Sequence, residues 1–344
     1  MIPYIELRDK ETLKQKAIIA PIDCFFELSY YETGEFQIIC PLRNDISNDD
    51  FVTIPNKPWA WVVQSVKPTF DSENGYLLTV KGYQAKHILN WRINQVPREL
   101  PTDLAAAVRS VYDRNINPSG ARSLGVAWKA STVSETIDAT IDPRGNVYNF
   151  LSTLAKTKEC AIDITIEQNN FAFRLYKGAD KSGTVIFSRT FDNLLNSEYL
   201  TDAVNERTFV LAEKDGVTET VDDGQTGINR KEMYFESGID TKYTNADGVE
   251  VELDLTKAED LAKFKCFLKQ SGREALALRK SEQNFHGEID TTLNQYVFGV
   301  DYFLGDKIKI KEEKMNIEAT PRVLKYTISQ NAHGYAEEIE VGEK

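Results

Sequence analysis

The sequence predicts a β-rich α+β protein, and three observations predict it. The first is alternation. Ile308 and Ile310 alternate with Lys307, Lys309 and Lys311, while Leu324, Tyr326 and Ile328 alternate with Lys325, Thr327 and Ser329, so each stretch has one apolar and one polar face. The second is turn chemistry. Gly305-Asp306 makes a flexible corner, and Asn74-Gly75 and Asp215-Gly216 sit between apolar runs, where both residue types tolerate the positive φ of a tight hairpin. The third is that helical periodicity interrupts the strands in only three places.

Residues 1–95 read as β. Cys24–Leu28 and Glu35–Ile39 flank a turn at Glu32-Thr33-Gly34, and Trp61–Val66 pairs across Asn74-Gly75 with Tyr76–Val80, with Lys67–Glu73 free to lengthen the ribbon. Tyr83–Trp91 reads as one short helix. Residues 96–183 form an α+β unit. Pro101-Thr102 opens a helix carrying Leu104, Val108, Val111 and Tyr112 on one face, and Asp142–Asn146 caps a second with Val147, Phe150, Leu151, Leu154 and Ala155 at helical spacing. Strands Ala161–Glu167 and Phe171–Tyr176 follow, turning at Asn169-Asn170.

Residues 184–240 return to β, with Thr208–Ala212 and Val217–Val221 joined around Asp215-Gly216 and a further strand at Lys231–Glu236. Residues 241–283 read as an insertion. Thr256-Lys257-Ala258-Glu259 has the form of a capping box, and the longest helix follows with Leu261, Phe264, Phe267 and Leu268, then Leu276 after Ser271-Gly272. From Asn284 the chain is β again. The division is therefore 1–95, 96–183, 184–240 with 284–344, and 241–283 as a helical insertion.

Composition narrows the function. The 344 residues suffice for two or three domains, and 41% hydrophobic with 27% charged residues suits a globular protein. A formal charge of −12 disfavours tight duplex binding, which needs clustered Lys and Arg. No run of about 18 apolar residues is present, so no membrane-spanning segment is expected, and Met1–Glu6 lacks the pattern of a secretory signal. Cys24, Cys40, Cys160 and Cys266 stand singly, which predicts free thiols in a reducing compartment.

No catalytic, cofactor-binding or metal-binding residue is assigned. His87, His286 and His333 lack zinc spacing, and no Gly-x-Ser-x-Gly elbow, P-loop or dinucleotide fingerprint occurs. Asp222-Asp223 and Asn245/Asp247 lack the rest of a calcium loop and read as turns. With 53 acidic residues, no pair of carboxylates stands out as a glycosidase pair. Trp59, Trp61, Trp91 and Trp128 suit a core better than a sugar platform.

A set of stretches in fixed order carries more than any motif. These are Tyr31–Ile38 followed by Pro41, Val62–Val66, Leu78–Tyr83 leading to Leu89-Asn90-Trp91-Arg92, Phe187–Leu194 with Asn205 after it, and Tyr302–Ile308. In this order the chain resembles the tail-tip (tail-associated) and baseplate hub proteins of tailed bacteriophages. The likeness is to a siphophage hub family of phages and prophages of Gram-positive hosts, itself similar to the myophage baseplate hub.

The resemblance implies two tail-tube-like β-barrel domains, an α+β domain and a small further domain. By this reading residues 1–95 form the first barrel and 184–240 with 284–344 the second. It implies a homotrimer ring of six barrels that continues the tail tube. The implied partners are a distal tail protein, a tape measure protein, and receptor-binding or baseplate proteins, with DNA only in transit. The expected location is the virion tail tip, after assembly in the host bacterial cytoplasm. The family implies no catalytic residues and no cofactor. Some larger relatives continue into peptidoglycan-cleaving or receptor-binding domains; this chain stops at Lys344, so lytic work is expected of a partner. Trp59–Val66 and Tyr302–Ile310 are the candidate inter-chain seams. The alternatives from other classes are a cell-wall polysaccharide hydrolase using paired carboxylates and a carbohydrate-binding β module.

Overall fold

In the computed structural model the described residues are 2–73, 75–280, 282–290 and 295–343. Their backbone is organised by one sheet of eleven strands, paired antiparallel throughout. Seven strands lie near the start of the chain: β1 (Ile5–Arg8), β2 (Gln15–Ile19), β3 (Asp23–Ser29), β4 (Glu35–Pro41), β5 (Phe51–Thr53), β6 (Ala60–Asp71) and β7 (Gly75–Gln84). They are ordered β3-β4-β7-β6-β5-β1-β2. Beyond β3 the sheet continues with Arg322–Asn331, Gly334–Glu343, Glu282–Ile289 and Leu194–Asp202, the last forming the outer edge.

Alternation sets the register. Cys24, Phe26 and Leu28 point inward from β3, and Phe36 and Ile38 from β4, with Phe26 opposite Phe36 and Cys24 opposite Ile38. A slip of one residue would turn all of them to solvent. The β6–β7 ribbon runs the full length that Lys67–Glu73 allows, from Trp61 opposite Gln84 to Asp71 opposite Gly75. Gly75 has φ +75°; Asn74 lies outside the described residues. The register shift between Val63 and Ser65 is a bulge that bends the ribbon.

The sheet curls strongly. Trp61 on β6 donates its indole N–H to Glu27 O on β3, 2.8 Å away, although β7 and β4 lie between them in the order. Ile2, just before β1, donates its backbone N–H to Gln330 Oε1 at 2.7 Å, and Gln330 Nε2 donates back to Ile2 O at 3.2 Å. The strand Arg322–Asn331 and the chain leading into β1 therefore approach each other from opposite ends of seven strands. Among the described residues no ladder closes this curl. Strands from the first and last segments of the chain thus share a single sheet and a single core, in which Phe26, Trp61, Tyr302, Ile308 and Val341 all participate.

Tyr83 and Gln84 belong to β7, and the expected helix begins at Ala85, as a 3₁₀ turn to Trp91. In the α+β unit, α1 (Leu104–Val111) is capped by Asp103, whose carboxylate accepts Ala106 N–H at 2.7 Å, one residue beyond the expected Thr102. α2 (Val147–Lys156) is capped by Asn146, which accepts Asn149 N–H at 2.9 Å. Both helices pack on the strands Ala161–Glu167 and Asn170–Tyr176. Gln168 and Asn169 make that turn with φ of +49° and +61°, one residue earlier than the composition suggested.

The segment around α3 (Ala258–Ala277) departs most from expectation. Thr256 does not cap it: its hydroxyl donates to Asp254 Oδ1 at 2.6 Å, and Lys257 occupies the cap position without a side-chain bond. Nor does Ser271-Gly272 interrupt the helix. Gly272 is needed because a Cβ there would meet Val221 Cγ2 at 3.1 Å and Ala212 Cβ at 3.4 Å, so the helix lies tightly on the hairpin Phe209–Lys214/Val217–Asp222. Asp215 and Gly216 turn that hairpin with φ of +52° and +78°. Glu232–Glu236 joins it in parallel. Phe264 and Phe267 pack instead against Ile141 and Tyr243, so α3 bridges two small sheets. Among the described residues no helix is long and apolar enough to cross a membrane.

Candidate functional site

Two of the stretches singled out in the sequence, Tyr31–Ile38 with its neighbour Tyr30 and Tyr302–Ile308, meet in space. Gly34 follows the β3 turn so closely that a Cβ would lie 2.7 Å from Glu27 C. The loop is held by two buried polar side chains, Gln84 at the end of β7 and Lys86 just after it. Gln84 Oε1 accepts Ser29 N–H at 3.1 Å and Gly34 N–H at 3.3 Å, while its Nε2 donates to Asp163 Oδ1 at 3.0 Å. Lys86, with no exposed surface, donates to Ser29 O at 2.6 Å and Tyr30 O at 3.0 Å. Burial depresses the Lys86 ammonium to about 8, against the pull of the nearby Asp163 carboxylate. Burial likewise raises Asp163, and the Lys86 charge opposes that.

Tyr30 is the hub of this junction. Its hydroxyl donates to Glu159 O at 2.9 Å, and the Arg322 guanidinium lies 5.7 Å over its ring. Arg322 also donates to Glu159 Oε2 at 2.7 Å and to Gly305 O. Gly305 has φ +86°, and a Cβ on it would lie 2.6 Å from Tyr30 Cζ. Asp306 accepts Ala179 N–H at 2.7 Å and Phe303 N–H at 2.9 Å. The β3–β4 turn, the α+β unit and the C-terminal segment are therefore locked together by a polar network rather than by apolar contact alone. The Phe187–Leu194 stretch is fixed similarly: Asn193 accepts Ser188 N–H at 2.8 Å and donates to Ile186 O at 2.9 Å and Gln295 Oε1 at 2.8 Å. Most of these bonds end on backbone groups of the junction, and the rest link one holding side chain to another.

Most of the bulky residues of the candidate seams are buried within their own chain, Phe303 at 48% exposure being an exception. Trp61, Val62, Val63, Tyr302, Ile308 and Ile310 are fully buried within one chain. Trp59 stacks against Phe298 at 5.3 Å and lies 5.9 Å from Tyr326, and it walls a cavity of about 520 Å³ together with Phe298 and Gly299. Alternation alone cannot tell a strand buried by its own sheet from one buried by a neighbour. Further exposed apolar groups lie elsewhere. Leu195, Tyr199 and Leu200 are 45%, 42% and 49% exposed on the outer edge strand Leu194–Asp202. Phe70 and Tyr76, both exposed, pack with tilted rings 4.8 Å apart at the turn end of the β6–β7 ribbon.

The remaining candidates are occupied in ordinary ways. Asp222 pairs with Arg230 at 2.6 Å and Asp223 with Lys280 at 2.5 Å, while Asn245 Oδ1 accepts Asp247 N–H and Val249 N–H within its turn. His87 stacks on Tyr83 at 4.5 Å, and burial lowers its pKa. Among the described residues no three His, Cys, Asp or Glu side chains are grouped to hold a metal. Trp128 stacks on Phe173 inside the α+β core.

The four cysteines are free, with Cys24, Cys40 and Cys160 buried and Cys266 exposed. Burial pushes the Cys24 thiol up to about 12 and Cys160 to about 11. A thiol-specific chromogenic disulfide should therefore titrate one thiol quickly in the native protein, Cys266, and all four in denaturant. A second fast thiol, or fewer than four after unfolding, would contradict this arrangement.

The sequence profile of the Siphovirus ReqiPepy6 Gp37-like protein family matches residues 124–343. No curated protein sequence matches the chain. The fold is similar to that of the tail protein from Neisseria meningitidis MC58, with a TM-score of 0.61 at 12% identity, covering 99% of this chain and 96% of that one. It is similar also to the 43 kDa tail protein of prophage MuSo2 from Shewanella oneidensis, with a TM-score of 0.57 at 13% identity over 98% of both chains. A third similar structure is prophage tail protein gp18 from Listeria monocytogenes EGD-e, with a TM-score of 0.56 at 10% identity over 99% of this chain and 94% of that one.

Proposed function

The chain belongs to the Siphovirus ReqiPepy6 Gp37-like family of phage tail proteins, and from that membership we propose that it is a non-enzymatic hub of the tail tip or baseplate. In this reading three copies form a ring that continues and closes the tail tube. The ring anchors the distal tail protein and host-adhesion components, and lets the tape measure protein and DNA pass. The strands of residues 1–95 and the strands Leu194–Asp202, Glu282–Ile289, Arg322–Asn331 and Gly334–Glu343, which share one curled sheet and one core, supply the two barrel-like halves of each copy. The α+β unit 96–183 and the insertion 241–283 lie outside them.

The observation that carries this reading is the pair of strand edges left over by the sheet. β2 at one end and Leu194–Asp202 at the other have no further partner among the described residues. Unpaired edges template pairing with another chain, and a head-to-tail interface that closes gives a ring. The two edges differ in charge: the second carries carboxylates, and the first has a lysine beside it. Exposed Lys14 stands just before β2, and Lys16 on β2 is paired with Asp50 at 2.8 Å, whereas Glu198 and Asp202 mark the other edge, whose Tyr199 and Leu200 add apolar surface. Three chains of −12 carry −36, so the ring is expected to loosen at low salt, where repulsion is least screened.

The double substitution Tyr199→Lys/Leu200→Lys tests the edge. Both side chains are more than two-fifths exposed, so the monomer should keep its melting temperature within about 3 °C. Ring formation with the distal tail partner should fall at least tenfold, because edge charges oppose strand pairing. Undiminished assembly of the variant would remove this edge from the interface.

A further inference from the structure

A cleft of about 290 Å³ opens between α2, α3 and the strand Glu232–Glu236. Phe150, Phe235, Ile239 and Leu278 give it apolar walls, and Glu274 of α3 is the carboxylate that lines it. Glu274 is held in place from behind. Fully buried Gln270 uses its Oε1 to accept Asp138 N–H at 3.2 Å, which turns its Nε2 toward Glu274 Oε1 at 3.1 Å. That leaves Glu274 Oε2 without a hydrogen bond among the described residues. Among the described residues no Lys or Arg lies within ion-pair distance of it either. The adjacent Arg273 is committed to Asp138 at 2.8 Å and Lys280 to Asp223 at 2.5 Å. Arg144, the other charged group of the cleft, is exposed at its mouth.

An ion set against apolar walls without a counter-charge is costly, and the cost is relieved when a hydrogen-bonding cation arrives. Burial raises the Glu274 carboxyl to about 7, against the opposing effect of the Gln270 hydrogen bond. The volume lies just under the range of small-molecule sites, about 300–1,000 Å³. It suits one long side chain with an apolar stem and a charged tip.

We propose that this cleft is a receptor for a single basic side chain, lysine or arginine, presented by a partner protein. The stem would pack between Phe150, Phe235 and Leu278, and the ammonium or guanidinium would meet Glu274. This site is independent of the sheet edges and of the ring.

The probe is N-acetyl-L-arginine amide, with N-acetyl-norleucine amide as the neutral analogue and sodium chloride matching ionic strength. At pH 8 the arginine amide should raise the melting temperature of the full-length protein in a concentration-dependent way, by about 2 °C at saturation. The analogue should not, and the shift should vanish in Glu274→Gln and shrink at pH 5.5, where the carboxyl is protonated. In parallel, the ¹³C carboxyl titration midpoint of Glu274 should fall by at least about one pH unit with the arginine amide, a readout that does not depend on the variant folding. No shift in either measurement, or an equal rise in Glu274→Gln, would overturn the proposal. A rise seen only in Arg144→Ala would make Arg144 the cleft's own occupant and overturn it too.

Discussion

Gly305→Ala is expected to lower the melting temperature by at least about 10 °C, or to leave the protein insoluble. Two effects add. At φ +86° the new side chain strains the backbone, by roughly 1–2 kcal/mol. Its Cβ also meets the Tyr30 ring, 2.6 Å from Cζ, and overpacking a fixed core costs about 1–3 kcal/mol. Tyr30 cannot yield, because its hydroxyl is tied to Glu159 O and Arg322 lies over its ring. The backbone cannot retreat either, since Gly178 stands against the Gly305 carbonyl so closely that a Cβ on Gly178 would overlap it. The total is a large share of a typical stability of about 5–15 kcal/mol. Gly183→Ala is the control: that position is open and has no positive φ, so its melting temperature should move by no more than about 1 °C. Circular dichroism melts of the two variants decide the matter. A Gly305→Ala protein as stable as Gly183→Ala would show that the junction is loose.

Lys86→Met should destabilise the protein by about 3 kcal/mol at pH 7, measured by urea unfolding. The substitution leaves the carbonyls of Ser29 and Tyr30 without their donor and Asp163 without the charge that favours its ionised form. The pH profile separates this from a simple packing loss. In the folded protein Lys86 titrates near 8, below its ordinary 10.5, so between those values the unfolded chain holds the extra proton. Stability of the wild type relative to Lys86→Met should therefore rise from pH 8 to 10.5 and stay flat between pH 7 and 8. Below that, the variant's deficit should shrink as Asp163 becomes protonated. Asp163→Asn added to Lys86→Met should recover part of the loss, since the two groups share one network. A deficit independent of pH would mean that Lys86 acts only through its aliphatic stem.

Local signals in the sequence were read well where the physics is local. The hairpins at Gly75, Asn169 and Asp215-Gly216, the stripes of α1 and α2, and the corner at Gly305 all follow from φ preferences and periodicity within a few residues. What failed was set by distant partners. Thr256 has the right spacing for a cap, yet Asp254 takes its hydroxyl. Gly272 looks like a helix stop, and its real constraint is the hairpin it lies on, some fifty residues earlier in the chain. Trp61 and Tyr302 look like seam residues because a strand's own sequence does not say which chain buries it. The meeting of Tyr30 with Gly305 has no local trace at all. Glu274 does have one: it stands seven residues after Phe267, on the apolar side of α3, where a carboxylate is out of place.

The central claim is a closed ring of three chains at the end of a tail tube. It is tested most directly by mixing the protein with its distal tail partner at physiological salt, measuring mass by light scattering, and imaging the product by negative stain. The account predicts a particle containing three copies of this chain, seen end-on as a ring with an open channel, and its loss at low salt. A monomer or a twofold dimer that persists with the partner present would contradict it.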